Sequence, residues 1–125
     1  MKKNSDEVFE IIEQFKKNNN QNFLDFSDVI LEEFPIEITK IESVERIEFI
    51  NFHECGLKSI PDELGALKNL KVLNLESNFL DEISVSICNL QNLEVLILTD
   101  NYIENIPSEI SNLKKLKELD RKSVV

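Results

Sequence analysis

Glycine is nearly absent from this chain. Two of its 125 residues, Gly56 and Gly65, are glycines, so no glycine-rich loop exists to cradle a phosphate with unhindered backbone amides. His53 is the one histidine, and the two cysteines, Cys55 and Cys88, do not have zinc-ligand spacing. Those shortages remove the usual His and Cys metal clusters and leave His53 without a second imidazole or a thiol cluster to build chemistry on. No run reaches the roughly 20 apolar residues of a membrane span, so no membrane partner is expected. Positive charge is also short. With 14 Lys and Arg against 24 Asp and Glu, the net charge of -10 opposes binding to nucleic acid and favours solubility or a basic partner.

What remains has the balance of one modest globular domain, 42% hydrophobic and 30% charged. The opening MKKNSDEVFEIIEQFKK begins with two lysines as a signal peptide does, but Asp6, Glu7, Glu10 and Glu13 interrupt any apolar core. A cytoplasmic protein with two reduced, structural thiols is expected. Ser5 to Lys17 read as an amphipathic helix: Ser5 as cap, Asp6 and Glu7 in the first turn, Lys16 and Lys17 at the end, and Val8, Ile11, Ile12 and Phe15 on one face. That face suits a cover for the end of a core, with a partner-binding helix as the alternative. Asn18 to Gln21 then break the pattern, which divides the chain into a capping helix with its connection over 1–20 and a repeat domain over 21–125.

The repeat is explicit in IPDELGALKNLKVLNLESNFLDE, residues 60–82. Apolar residues at Leu64, Leu67, Leu70, Leu73, Leu75 and Leu80, with Asn78, recur 23 residues later as Ile87, Leu90, Leu93, Leu96, Leu98 and Ile103, with Asn101. A fixed period of this size means a solenoid of stacked coils. Units restart at Phe34, Ile60, Ile83 and Ile106, after a degenerate first strand at Leu24 and Phe26 that carries Val29 in the Asn position. The unit from Phe34 is three residues longer, accommodated away from the strands, with apolar residues at Ile41, Val44, Ile47, Ile50, Phe52 and Leu57. In each unit Leu73 and Leu75 point inward and Val72, Asn74 and Glu76 outward, while Leu64, Leu67 and Leu70 back the sheet in a short helix or 3-10 turn.

The segments LKVLNLESNFL (70–80) and LEVLILTDNYI (93–103), with the variant IEFINFHECGL (47–57) that has Cys55 in the Asn position, resemble the leucine-rich repeat family. The Ile-Pro opening and the 23-residue period are similar to its bacterial and intracellular signalling subclass, over about residues 21–123. The resemblance implies an α/β leucine-rich repeat solenoid: a right-handed coil with a parallel sheet on its concave face and short helices or 3-10 turns on its convex face. It also implies a non-enzymatic module that binds a protein partner on the concave face, without cofactor or metal.

Stacking turns the period into outward columns. One runs Phe23, Phe49, Val72, Val95, Glu118; its neighbour runs Asp25, Asn51, Asn74, Ile97, Asp120; further along lie Asp28, Glu54, Glu76 and Asp100. Phe49, Val72, Val95 and Ile97 are the candidate apolar anchors for a partner, and His53, Glu54, Glu76 and Asp100 the candidate polar selectors. Strand packing alone also accounts for apolar residues there. A rim column, Ile30, Gly56, Phe79, Tyr102, Val125, should stack Phe79 on Tyr102 as packing or as a partner hot spot. Ser27 and Glu76 are expected beside His53, a weak catalytic or metal-like trio against the plainer reading of an exposed histidine. Lys114, Lys115, Lys117, Arg121 and Lys122 make the C-terminal end basic, and Arg121 is a poor lid over Leu116 and Leu119. The alternatives to an interaction module are therefore self-association through that end, a monomer or weak homo-oligomer resulting, or a fragment of a longer repeat protein.

Overall fold

Two apolar residues at alternate positions of a short strand, repeated every coil, cannot be buried within one coil, so neighbouring coils must share an interior. The computed structural model, which describes residues 4–121, is built this way. Five three-residue strands, β1 (Phe23–Asp25), β2 (Phe49–Asn51), β3 (Val72–Asn74), β4 (Val95–Ile97) and β5 (Glu118–Asp120), form one parallel sheet in chain order. The chain returns from each strand to the next through 3-10 helices at Ile36–Thr39 with Val44–Arg46, Asp62–Ala66, Ile87–Asn89 and Ser108–Asn112. The helix α1 (Asn4–Lys17) precedes β1. The architecture is an α/β solenoid whose backing segments are 3-10 rather than α-helical.

The core lies between sheet and 3-10 helices. Leu24, Ile50, Leu73 and Leu96 pair strand to strand and are buried, as are Phe26, Phe52, Leu75 and Leu98 two positions on. Phe26 and Phe52 replace leucine in the first coils and stack with ring centroids 5.3 Å apart. Leu64, Leu67 and Leu70 close the same interior from behind. Backbone bonds tie coil to coil at one repeated place: the amides of Phe26, Phe52, Leu75 and Leu98 donate to Asn51, Asn74, Ile97 and Asp120 at 2.7 to 2.8 Å.

Two expectations are corrected. Ser5 lies inside α1 rather than ahead of it as a cap, because the helix already includes Asn4. In the long coil, Ile38 is fully buried while Ile41 and Val44 are only partly so. The extra residues split the backing segment into two 3-10 helices, and the first of these packs on Asp62–Ala66, which lets Ile38 take the place of Leu64.

Arg46 joins α1 to the first coils, a role its sequence position did not advertise. Its guanidinium lies 4.3 Å from the Phe15 ring centroid and donates to the carbonyls of Phe15 (2.8 Å), Asn18 (2.8 Å) and Gln21 (2.9 Å). Counting back from the strands, Arg46 occupies the register position of Asn69 and Asn92, whose amides donate to the preceding coil at Glu45 and Lys68. The end of α1 is a helix terminus rather than a coil, so a longer, forked donor fills that position. Val8, Ile12 and Phe15 are buried in the shared core and Ile11 packs against it.

Leu73→Ala is expected to cost roughly 2 to 5 kcal/mol, because its full burial leaves a cavity between two coils. Arg46→Lys keeps the charge but loses the fork and the ring stacking, and is expected to cost about 1 to 2 kcal/mol. Urea denaturation followed by circular dichroism measures both; an Arg46→Lys midpoint equal to the parent's would show that the fork contributes nothing.

Candidate functional site

The outward face of the sheet carries the predicted anchors in direct register. Phe49 pairs with Val72 and Val72 with Val95, preceded by Phe23 and followed by Glu118. Phe23 and Phe49 are exposed, whereas Val72, Val95 and Ile97 are half-buried. The apolar stripe therefore runs across four strands and ends at the acidic Glu118.

The neighbouring column has a local duty. The side-chain oxygens of Asp25, Asn51 and Asn74 accept from the backbone amides of Ser27 (3.0 Å), His53 (2.8 Å) and Glu76 (2.9 Å), turning the chain out of each strand. Ile97 has no oxygen to do this. In that coil the column becomes apolar, which places Ile97 next to Val95 as a second apolar residue on the same face.

The acidic column needs correction by one residue. Asp28, Glu54, Ser77 and Asp100 share a left-handed backbone, with φ of 64, 56, 60 and 59 degrees. The amides of Asp28, Glu54 and Ser77 donate across to the carbonyls of His53, Glu76 and Thr99. Glu76 accordingly lies in the column of Ser27, His53 and Thr99, half-buried, and Ser77 takes its place among the acids. The 23-residue period itself leads from Glu54 to Ser77 and on to Asp100, and from His53 to Glu76, so the correction is one of counting.

Ser27, His53 and Glu76 share one column of successive coils, as expected, but the polar contact of the His53 ring is with Asp28. His53 Nδ1 lies 3.4 Å from Asp28 Oδ1, and Asp28, His53 and Glu54 bring ligand atoms within 4.8 Å of one another. Two carboxylates and an imidazole can weakly hold a divalent cation, but Asp28 and Glu54 are exposed to water, which competes for such an ion. Asp28 is the partner that sequence reasoning missed; it sits on the preceding coil, 25 residues away, brought round by its left-handed backbone.

Within the rim column Phe79 and Tyr102 stack as expected, while Val125 lies outside the described residues. Phe79 and Tyr102, 54% and 63% exposed, have ring centroids 6.3 Å apart and planes within 7 degrees. Their amides donate to the carbonyls of Leu57 and Leu80 at 2.8 Å, so the backbone beneath them is held by the previous coil. Between Ile30 and Phe79 the column holds Gly56 at φ 77 degrees, where a Cβ would find space but the backbone favours glycine. The aromatic pair and the left-handed acids line a groove of about 520 Å³.

Neither thiol is placed for chemistry. Cys55 and Cys88 are free and buried. Cys55 Sγ donates to the Phe26 carbonyl at 3.0 Å, and burial pushes its pKa up to about 12. Burial, with a smaller contribution from Glu109, also raises that of Cys88. Among the described residues no helix is long and apolar enough to cross a membrane.

Coil spacing, strand register and the buried asparagine at the turn of successive coils coincide with one known pattern. The family described as leucine-rich repeat region matches residues 10–125. The chain belongs to the leucine-rich repeat family. A solved structure of a leucine-rich repeat protein from Leptospira interrogans is similar, with a TM-score of 0.64 and 28% identity, covering 72% of this chain and 23% of that one. This chain thus spans less than a quarter of that protein's length. No curated protein matches it. Leucine-rich repeat chains are in general protein-interaction scaffolds rather than enzymes.

In the native protein both thiols are expected to resist iodoacetamide at pH 8 and to react fully in guanidinium chloride, read by mass spectrometry. The folded Cys55 holds its proton to about 12 while the unfolded thiol loses it near 9.0, so its contribution is intact below pH 9.0 and falls as pH rises toward 12. The slope from this one group is at most about 1.4 kcal/mol per pH unit. Comparing alkaline denaturation of the parent with Cys55→Ala measures it, the variant's curve being flatter in that window.

Proposed function

We propose that this chain is a non-enzymatic module that binds a protein partner on the concave, outward face of its sheet. The observation that carries the reading is the registered stripe of Phe49, Val72 and Val95, extended by Ile97 where the turn-forming Asn is missing. These four residues act as apolar anchors. His53, Glu54, Glu76 and Asp100 select polar groups on the partner, and Phe79 with Tyr102 form a flanking aromatic contact. A net charge of -10 favours a partner with a basic surface, through faster encounter and rejection of acidic competitors. In this reading residues 1–20 are a cap and connection, 21–125 the binding domain, and the two buried thiols suit a cytoplasmic setting.

A second reading rests on β5. Leu119 occupies the inward position at which Leu73 and Leu96 are fully buried, yet it is 37% exposed. We infer that a second copy could cover this end and give a weak homo-oligomer. Light scattering that reports a monomer at millimolar concentration would remove that reading.

The main reading is tested by affinity capture from native lysate with the parent and with Phe49→Ser/Val95→Ser/Glu76→Lys/Asp100→Lys, identified by mass spectrometry. Proteins held by the parent are expected to be lost from a variant whose circular dichroism matches the parent's. Undiminished capture by the folded variant would sink the assignment.

A further inference from the structure

The groove beside the sheet combines two features that no role within the fold requires together. On one side stand the stacked Phe79 and Tyr102 rings and, beyond the gap at Gly56, the exposed Ile30. On the other stand Asp28, Glu54 and Asp100, all exposed. No lysine or arginine is among the described residues that line it. Asp100 is held in place by the Ser77 hydroxyl, which donates to its Oδ2 at 2.9 Å. The side chains are mounted on backbone pinned coil to coil, so the groove is set before anything enters it.

We propose that this groove binds an extended segment of a partner protein carrying two arginines three residues apart. The assignment rests on the reading of the chain as a protein-binding module but uses the rim rather than the sheet face. Charge complementarity decides the sign of the occupant, and the aromatic pair decides between lysine and arginine. A guanidinium can stack on Phe79 and Tyr102 while its fork meets the Asp100 carboxylate, whereas an ammonium lacks the flat face and the fork. Spacing follows from the coils. Adjacent coils are ~4.8 Å apart, so Asp28 and Glu54 form one acidic station and Asp100, two coils beyond Glu54, a second about 10 Å away. An extended segment of polyproline II type, with three residues per turn and a rise of about 3.1 Å per residue, covers about 9 Å in three residues and returns the two arginines to the same face.

The probe is a fluorescein-labelled octapeptide, Gly-Ser-Arg-Leu-Ser-Arg-Ser-Gly, followed by anisotropy against the full chain. Binding is expected to weaken at least ~10-fold when both arginines are glutamate, and several-fold when they are lysine or adjacent. Glu54→Gln/Asp100→Asn and Phe79→Ala/Tyr102→Ala should each weaken it by about 10-fold or more. Glu63→Gln/Glu82→Gln removes the same charge outside the groove and should change it less than about 2-fold. Equal losses from the groove and the control pairs would overturn the proposal as diffuse attraction, and so would absence of binding by the parent. Loss with Phe49→Ser/Val95→Ser but not with the groove variants would overturn the groove while leaving the sheet-face reading intact. The converse pattern supports the groove whatever becomes of the sheet-face reading. Circular dichroism of every variant confirms that the loss is not unfolding.

Discussion

The interior amide of Asn78 holds the coils in a single register. Its Oδ1 accepts from the backbone amides of Cys55 (3.1 Å) and Leu57 (3.0 Å), and its Nδ2 donates to the carbonyls of Phe52 (2.9 Å), Leu75 (2.9 Å) and Glu76 (3.2 Å). Asn101 repeats the arrangement one coil later, with Leu80 as donor and Leu75, Leu98 and Thr99 as acceptors. A turn inside an apolar stack exposes backbone groups to neither water nor a strand, and each would cost about 1 to 3 kcal/mol if left unpaired. One side chain that both donates and accepts resolves several of them across two coils. Every outward column keeps its alignment because this inner one does.

The two departures from asparagine follow the same logic. Cys55 reproduces the donor half, through Sγ to the Phe26 carbonyl, and offers a weakly accepting sulfur in place of an amide oxygen. Of the two amides that would meet an asparagine oxygen there, that of Leu31 turns instead to the Cys55 carbonyl at 2.8 Å and that of Val29 to the Phe26 carbonyl at 3.0 Å. Val29 stands in the coil whose strand packs on α1, and is simply buried. At the opposite side of the coil Arg46 performs the corresponding service toward α1. The terminal coil is therefore joined to a helix by changing one donor rather than by altering the repeat.

Much of the fold was legible before any coordinates. Leu73, Leu75, Leu96 and Leu98 announce their inward direction because the apolar period admits one arrangement that keeps them from water. The stripe of Phe49, Val72 and Val95 followed from the same count, and the strand register reproduces it. Legibility ended where the chain leaves the strand. Glu76 belongs one residue outside the acidic row, since the period joins Glu54 to Ser77 and Asp100, and the contact of His53 with Asp28 depends on a turn with a left-handed residue at the same position in successive coils. Ile38 was hidden by the three-residue insertion, and Arg46 by its charge, which reads as surface until its partners on α1 are seen.

The sequence by itself determined the solenoid, its 23-residue pitch and which residues form its core, since solvent exclusion acts on the pattern of apolar residues, and a pattern is a one-dimensional property. Only the tertiary structure decided what the outward polar residues do. It assigned Asn51 and Asn74 to their own turns, left Ile97 without such a duty, and gathered aromatic and acidic side chains from four coils into one groove. Hydrogen bonds and charges depend on direction as well as distance, and those directions are set by turns and by neighbours one coil away.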